Sequence, residues 1–128
     1  MRQIVILAAM LFTSPSLMAA SAVIFIDSSD VSQAALVSAL NDDLYYSAHL
    51  REGLSITVYD INVGNRNDER PFSGAVNYQK DFNGAAVAKM RPGKLPYLFC
   101  MDSKEREKRE ITLTNKEEIK LCMEATGS

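Results

Sequence analysis

Two cysteines, one histidine and three aspartates at the ends of predicted strands are the residues of this 128-residue chain whose types could do chemistry. Cys100 lies inside the apolar run Tyr97 to Met101, and Cys122 shares the inward stripe of the last predicted helix with Ile119 and Met123. The thiolate is the nucleophile in cysteine chemistry, and cysteines buried in apolar surroundings are normally inert. Three arrangements are open from the sequence: a structural disulfide, two separate buried thiols, or a redox pair. A bridge would close a loop of about 22 residues and contribute roughly 3 kcal/mol.

His49, beside Leu50-Arg51-Glu52 near a predicted helix end, has no cysteine or carboxylate partner at metal-ligand spacing, so no metal site is expected. Asp27, Asp60 and Asp102 each lie at the end of a predicted strand. Parallel strands gather such carboxylates at one sheet edge, where α/β sites form, but turns also favour aspartate for its own sake. The chain has no phosphate-cradling glycine loop, no G-x-S-x-G and no H-E-x-x-H, and no cofactor is expected.

The elements that must position these residues follow from periodicity. Ala22-Val23-Ile24-Phe25-Ile26 is a first strand that stops at Asp27-Ser28-Ser29-Asp30. Asp30 is a helix cap with Gln33 as its capping-box partner, and apolar residues at steps of three and four predict a helix from Val31 to about Arg51, bent near Asn41-Asp42-Asp43. Leu54 to Ile61 alternates as a second strand, parallel to the first. Asn62 to Ser73 is a charged loop that includes Arg66 and Arg70, a length at which loops are often functional. Tyr78, Phe82, Ala85, Ala86 and Met90 lie near one helical face, interrupted by Asn83-Gly84 and ended by Pro92-Gly93. Pro96 then opens the third strand, as a residue that need not donate to the ladder. The mixed charges from Ser103 to Glu110 predict a solvated hairpin into a fourth strand, Glu110 to Thr114. Asn115 or Thr114 caps a last helix from Lys116 to about Ala125.

The first 20 residues read as a secretory signal peptide, with residues 21–128 as one domain. Met1-Arg2 gives a positive start, Ile4 to Phe12 an uncharged apolar run, and Ala19-Ala20-Ser21-Ala22 a small-residue cleavage region. That run is about half of the roughly 20 residues needed to span a bilayer, and no stable membrane insertion is expected after cleavage. Without Arg2, 13 basic against 16 acidic side chains give 13 − 16 = −3, which argues against binding nucleic acid through a basic surface. A periplasmic or secreted location follows, an oxidising compartment where disulfides persist.

The order β-α-β-α-β-β-α with Leu95-Pro96 ahead of the apolar run Tyr97-Leu98-Phe99 resembles the thioredoxin-like fold. The resemblance implies a four-stranded mixed sheet with helices on both faces and a cis proline at Pro96, near the start of the first helix. Redox members of that family carry C-x-x-C where the first strand meets its helix, because a helix N-terminus stabilises a thiolate. Here the corresponding segment is Ser29-Asp30-Val31-Ser32, which has no sulfur. No enzyme activity of the usual redox kind is therefore expected.

Exported proteins of this size and fold without C-x-x-C resemble accessory proteins of bacterial conjugation and type IV secretion, the TrbC and TraF kind and their relatives on integrating conjugative elements. That resemblance implies a non-catalytic role through contacts with other proteins of an envelope assembly. The candidate contact residues are Ser29, Ser32, Leu95, Pro96, Arg66 and Arg70. Two alternatives stand beside it: a periplasmic thiol-disulfide protein using Cys100 and Cys122, and an exported inhibitor or immunity-type binding module.

Overall fold

The computed structural model describes residues 20–62, 74–102, 104 and 106–125. The expected leader lies outside the described residues except for Ala20, which opens the first strand, and the loop after Asn62, with Arg66 and Arg70, lies outside them entirely.

The strands are β1 Ala20–Ile26, β2 Leu54–Asp60, β3 Asn77–Lys80, β4 Tyr97–Met101 and β5 Glu107–Thr112, and they form one sheet in the order β3-β2-β1-β4-β5. Strands β1, β2 and β3 run parallel, while β4 is antiparallel to β1 and β5 antiparallel to β4. The helices are α1 Val31–Tyr46, α2 Ala48–Gly53, α3 Ala85–Met90 and α4 Lys120–Ala125, the last preceded by a 3₁₀ turn at Lys116–Ile119.

One face of the sheet meets α1 and α4. Ala22, Ile24 and Ile26 of β1, Ile56 and Val58 of β2, and Leu98 and Cys100 of β4 pack there against Val37, Leu40, Leu44, Ile119 and Cys122. Fully burying each larger aliphatic side chain contributes about 1.5–3 kcal/mol. The opposite face carries an aromatic row in which Phe25 stacks on Tyr59 and meets Phe99 edge-on, and Phe99 meets Tyr97 in the same way. Lys89 and Met90 of α3 sit over this face beside Val23 and Tyr59. Helices thus flank both faces, as expected.

The sheet has five strands where four were expected. Asn77–Lys80, read from its sequence as part of a helical face, is an edge strand of four residues paired with β2 from Thr57 to Asp60. The helical spacing belongs instead to residues beyond the strand, where a turn closed by Gly84 N–H donating to the Asp81 carbonyl leads into α3. The first helix runs uninterrupted through Asn41-Asp42-Asp43. It breaks at Ser47, whose N–H donates to the Asp43 carbonyl and whose hydroxyl accepts from Leu50 N–H, ending α1 and starting α2. Asn41 is instead buried, and its side-chain oxygen accepts from Ala75 N–H at 2.9 Å and Val76 N–H at 3.0 Å, fixing the approach to β3. Strand β5 begins at Glu107, earlier than its apolar residues suggested, because an edge strand needs only backbone pairing on its inner side.

Candidate protein-contact site

Because β1, β2 and β3 are parallel, the turns that follow them share one edge of the sheet, and antiparallel β4 begins at that same edge. The register pairs Phe25 with Tyr97, so the ladder continues toward Ile26 and Pro96. The Leu95–Pro96 peptide bond is cis. The proline segment is tied to the strand beside it: Leu113 N–H donates to the Pro96 carbonyl at 2.8 Å, and the Thr112 hydroxyl donates to the Lys94 carbonyl at 3.1 Å.

The turn from β1 into α1 is organised by two aspartates. Ser29 donates from its N–H and its hydroxyl to Asp27 Oδ1 at 3.0 and 2.6 Å. Ser32 does the same to Asp30 Oδ1 at 2.9 and 2.7 Å, which makes Asp30 the helix cap. Gln33 does not close the expected capping box on the Asp30 amide. It donates to Asp30 Oδ2 and accepts from the Asp27 N–H at 2.8 Å, one turn further back. The Ser32 hydroxyl, followed by Gln33, holds the Asp30 carboxyl below its ordinary range. Both serine hydroxyls are donors spent on carboxylates, a geometry that supplies no disulfide exchange.

Beneath this turn lies a polar cluster centred on Asp60, which is fully buried at the end of β2. Its Oδ1 accepts from Ser28 N–H at 3.0 Å and Asn62 N–H at 2.9 Å, and its Oδ2 accepts from the Tyr78 hydroxyl on β3. Asn62 also donates to the Ser28 hydroxyl at 3.2 Å. Burial, then the bond to Asp60 and its charge, pushes the Tyr78 phenol well above the ordinary tyrosine range. One carboxylate therefore ties together the turn after β1, the end of β2 and strand β3.

The structure places Ser29, Ser32, Leu95 and Pro96 at this shared edge, on the turn after β1 and at the mouth of β4. Asp102 is elsewhere. It ends β4 at the opposite edge, where it closes the hairpin by accepting from Lys104 N–H, Arg106 N–H and Arg106 Nε, and the Arg106 amide foremost lowers its pKa. His49 is exposed on α2. Cys100 and Cys122 form a disulfide with Cα atoms 4.8 Å apart, both residues fully buried between β4 and α4. Among the described residues there is no group of three or more potential metal ligands.

Sequence reasoning missed Tyr78 as a partner of Asp60, and missed Ile61 and Phe82 as exposed apolar side chains on the same edge. The signal for both was the strand end: once β3 is recognised as parallel to β2, Asp81 and Phe82 fall beside Ile61 and Asn62.

No family model and no curated protein matches this sequence. Solved structures do resemble it. The N-terminal domain of PilB from Neisseria gonorrhoeae superposes with a TM-score of 0.62 at 8% identity, over 83% of this chain and 76% of that one. StoA from Bacillus subtilis gives 0.61 at 13% identity, over 81% of each chain. A thioredoxin-like protein from Aeropyrum pernix gives 0.60 at 12% identity, over 84% of this chain and 77% of that one. At these identities the likeness establishes the fold, which is thioredoxin-like, and nothing finer.

Proposed function

We propose that this protein is an exported, non-catalytic thioredoxin-like module that works by protein contact, as an accessory component of a bacterial conjugative transfer or type IV secretion apparatus. The observation that carries the non-catalytic part is the pairing of a sulfur-free Ser29-Asp30-Val31-Ser32 with a retained cis Leu95–Pro96 on the same sheet edge. Both cysteines of the chain are engaged in a buried bridge, away from that edge. A rigid turn beside the mouth of an adjacent strand is suited to holding an extended segment of another protein. The conjugation assignment draws on the residue pattern of leader, size and sulfur-free turn.

The redox reading has support in its turn, since thioredoxin-fold neighbours include the pneumococcal exposed lipoprotein thioredoxin Etrx1. It would require Cys100 and Cys122 to reach a substrate, and their burial opposes that.

Deleting the gene in its native host and measuring transfer frequency tests the assignment. The expected result is a loss of at least tenfold, restored by the parent chain and not by one carrying Ser29→Arg and Ser32→Arg. Unchanged transfer overturns the conjugation role. Reduction of insulin disulfides by the purified protein at rates above the background of dithiothreitol overturns the non-catalytic reading, and co-purification with a single inhibited enzyme in place of an assembly points to the inhibitor alternative.

A further inference from the structure

The end of α1 and α2 form one wall of an open groove of about 1050 Å³, and the 3₁₀ turn at Lys116–Ile119 with α4 forms the other. It lies away from the protein-contact edge. Helix α1 starts at that edge with Asp30 as its cap and runs 16 residues, about 24 Å, before α2 delivers the chain to Leu54, which pairs with Ala20 at the start of β1. The apolar lining of the groove comes from Leu50, Leu121 and Met123, each half-buried, and from Tyr46, which is 82% exposed. A contiguous apolar surface rimmed by polar residues marks an interaction site, where a singly exposed hydrophobe does not.

Both walls are held in place without a partner. Arg51 Nη1 donates to the Leu44 carbonyl at 2.8 Å and ties down the last turn of α1, where the rings of Tyr45 and Tyr46 meet edge-to-face. Lys116 Nζ reaches across to Asp43 at 3.0 Å and joins one wall to the other. A surface ordered in advance lowers the entropy that must be overcome in binding.

The rim is acidic. Asp42, Asp43, Glu117 and Glu118 line the groove against Lys116 and Lys120, a formal surplus of two negative charges. Both lysines are matched within the walls, Lys116 by Asp43 and Lys120 by Glu117 at 2.9 Å, while Asp42 makes no ion pair among the described residues. The segments outside the described residues do not reverse this balance: Arg2, Arg66 and Arg70 stand against Asp68, Glu69 and Glu105, so those segments add no net side-chain charge. An acidic rim around an apolar surface is complementary to a basic, amphipathic partner.

The secondary structure of the walls selects the form of that partner. Among the described residues, the lining lies on helices, the 3₁₀ turn and their caps, with no strand. An extended segment lying there would find no strand edge to pair with, whereas a helix satisfies its own backbone groups and needs only a groove for its apolar stripe.

We infer that this groove docks an amphipathic helix of a partner protein, its apolar stripe seated on Tyr46, Leu50, Leu121 and Met123 and its basic residues facing the acidic rim. The inference goes beyond the proposed function, because it adds a second contact surface at the opposite end of α1.

The test uses the whole mature protein and two fluorescein-labelled peptides of about 18 residues, a length at which alanine-rich sequences form helix in water. Both carry leucine at every third or fourth position, flanked by lysine in one and by glutamate in the other. The lysine peptide is expected to bind at least tenfold more tightly, to weaken as salt is raised, to gain helical circular dichroism on binding, and to shift the backbone amide signals of Tyr46, Leu50 and Leu121. Asp42→Lys and Leu121→Ser each weaken it at least fivefold, proline at the centre of the peptide weakens it at least tenfold, and Phe82→Ser beyond β3 leaves it unchanged. Equal binding of the two peptides, no binding of the lysine peptide at millimolar concentration, undiminished binding of the proline peptide, or parental affinity in both Asp42→Lys and Leu121→Ser overturns the inference. Self-association of the protein that Leu121→Ser abolishes assigns the groove to a second copy and overturns it as well. If transfer in the host still depends on Ser29 and Ser32 in any of those cases, the proposed function stands without it.

Discussion

The carboxylate of Asp60, enclosed at the end of β2, receives the phenolic hydrogen of Tyr78 from the neighbouring edge strand. This bond joins an interior strand to one of only four residues, which has little apolar surface of its own to hold it in place. The same carboxylate accepts from Ser28 and Asn62, so the edge strand and the turn before α1 depend on one side chain.

Replacing Asp60 by Ala would take away the acceptor shared by the Ser28 and Asn62 amides and the Tyr78 hydroxyl. Hydrogen bonds to a charged group contribute about 1.5–3 kcal/mol each and these three donors are half-buried, so a loss of about 3 kcal/mol or more is expected in urea unfolding. Tyr78→Phe removes one donor and leaves two, and is expected to cost about 1.5–3 kcal/mol. Amide hydrogen exchange separates the two variants: Tyr78→Phe should speed exchange in β3 alone, Asp60→Ala in β3 and at Ser28 and Asn62 together. Equal patterns would contradict the shared role of the carboxylate.

The raised Tyr78 phenol also sets an alkaline limit on stability. Its value in the folded protein exceeds the ordinary 10.0, so its contribution is complete below pH 10 and is lost as pH rises toward the folded value, because the unfolded chain ionises first. Unfolding free energy is expected to fall above pH 10 in the parent and to fall less steeply in Tyr78→Phe. Absorbance at about 295 nm, compared between the parent and Tyr78→Phe, should show the Tyr78 phenol of the folded protein ionising above the ordinary 10.0. A phenol at that position ionising at the ordinary 10.0 would remove the basis of the prediction.

What could be read from the residues alone divides along physical lines. Strand β1 was legible because it is covered on both faces, so its apolar run is continuous, and the start of α1 was legible because Asp30 caps it through a local bond. Strand β3 was not, because four residues at an edge carry too little pattern to distinguish period two from a helical face. Cys100 and Cys122 could be assigned to a strand and a helix. Their pairing, though, depends on which face of β4 Cys100 occupies, and a one-residue shift in register would turn it away from α4. Ser29, Ser32 and Pro96 were legible as candidates through resemblance, whereas the bond between Asp60 and Tyr78 depends on the pairing of β2 with β3, which no local stretch encodes.

Gly93 is required by packing and not by backbone freedom. A Cβ at this position would lie 2.7 Å from Tyr97 Cε1, and that ring is held by Phe99 on one side and by its hydroxyl bond to Glu110 at 2.6 Å. Gly93→Ala is expected to cost about 1–3 kcal/mol as an overpacked contact. Gly84→Ala is the matched control: nothing lies within 4 Å of its Cβ, but its φ of +66° makes the cost one of backbone conformation, about 1–2 kcal/mol. Thermal unfolding gives both losses. Near-UV circular dichroism should change only for Gly93→Ala, since only that substitution displaces a tyrosine.

The disulfide yields the last expectation. It closes a sequence separation of 22 residues and fastens α4, a short element of six residues, onto the central sheet. Constraining the unfolded chain over a loop of that size contributes about 3 kcal/mol. The paired variant Cys100→Ala with Cys122→Ala is therefore expected to lose about that much in urea unfolding, and to melt roughly 12–20 °C lower. Because both residues are fully buried, reduction should require opening of the structure. In dithiothreitol the bridge should persist in the native protein, with free thiols appearing at a rate that climbs with added urea toward the global unfolding rate. Rapid reduction without urea, with no loss of native circular dichroism, would show that a partner thiol can reach the pair and would return this chain to the redox class.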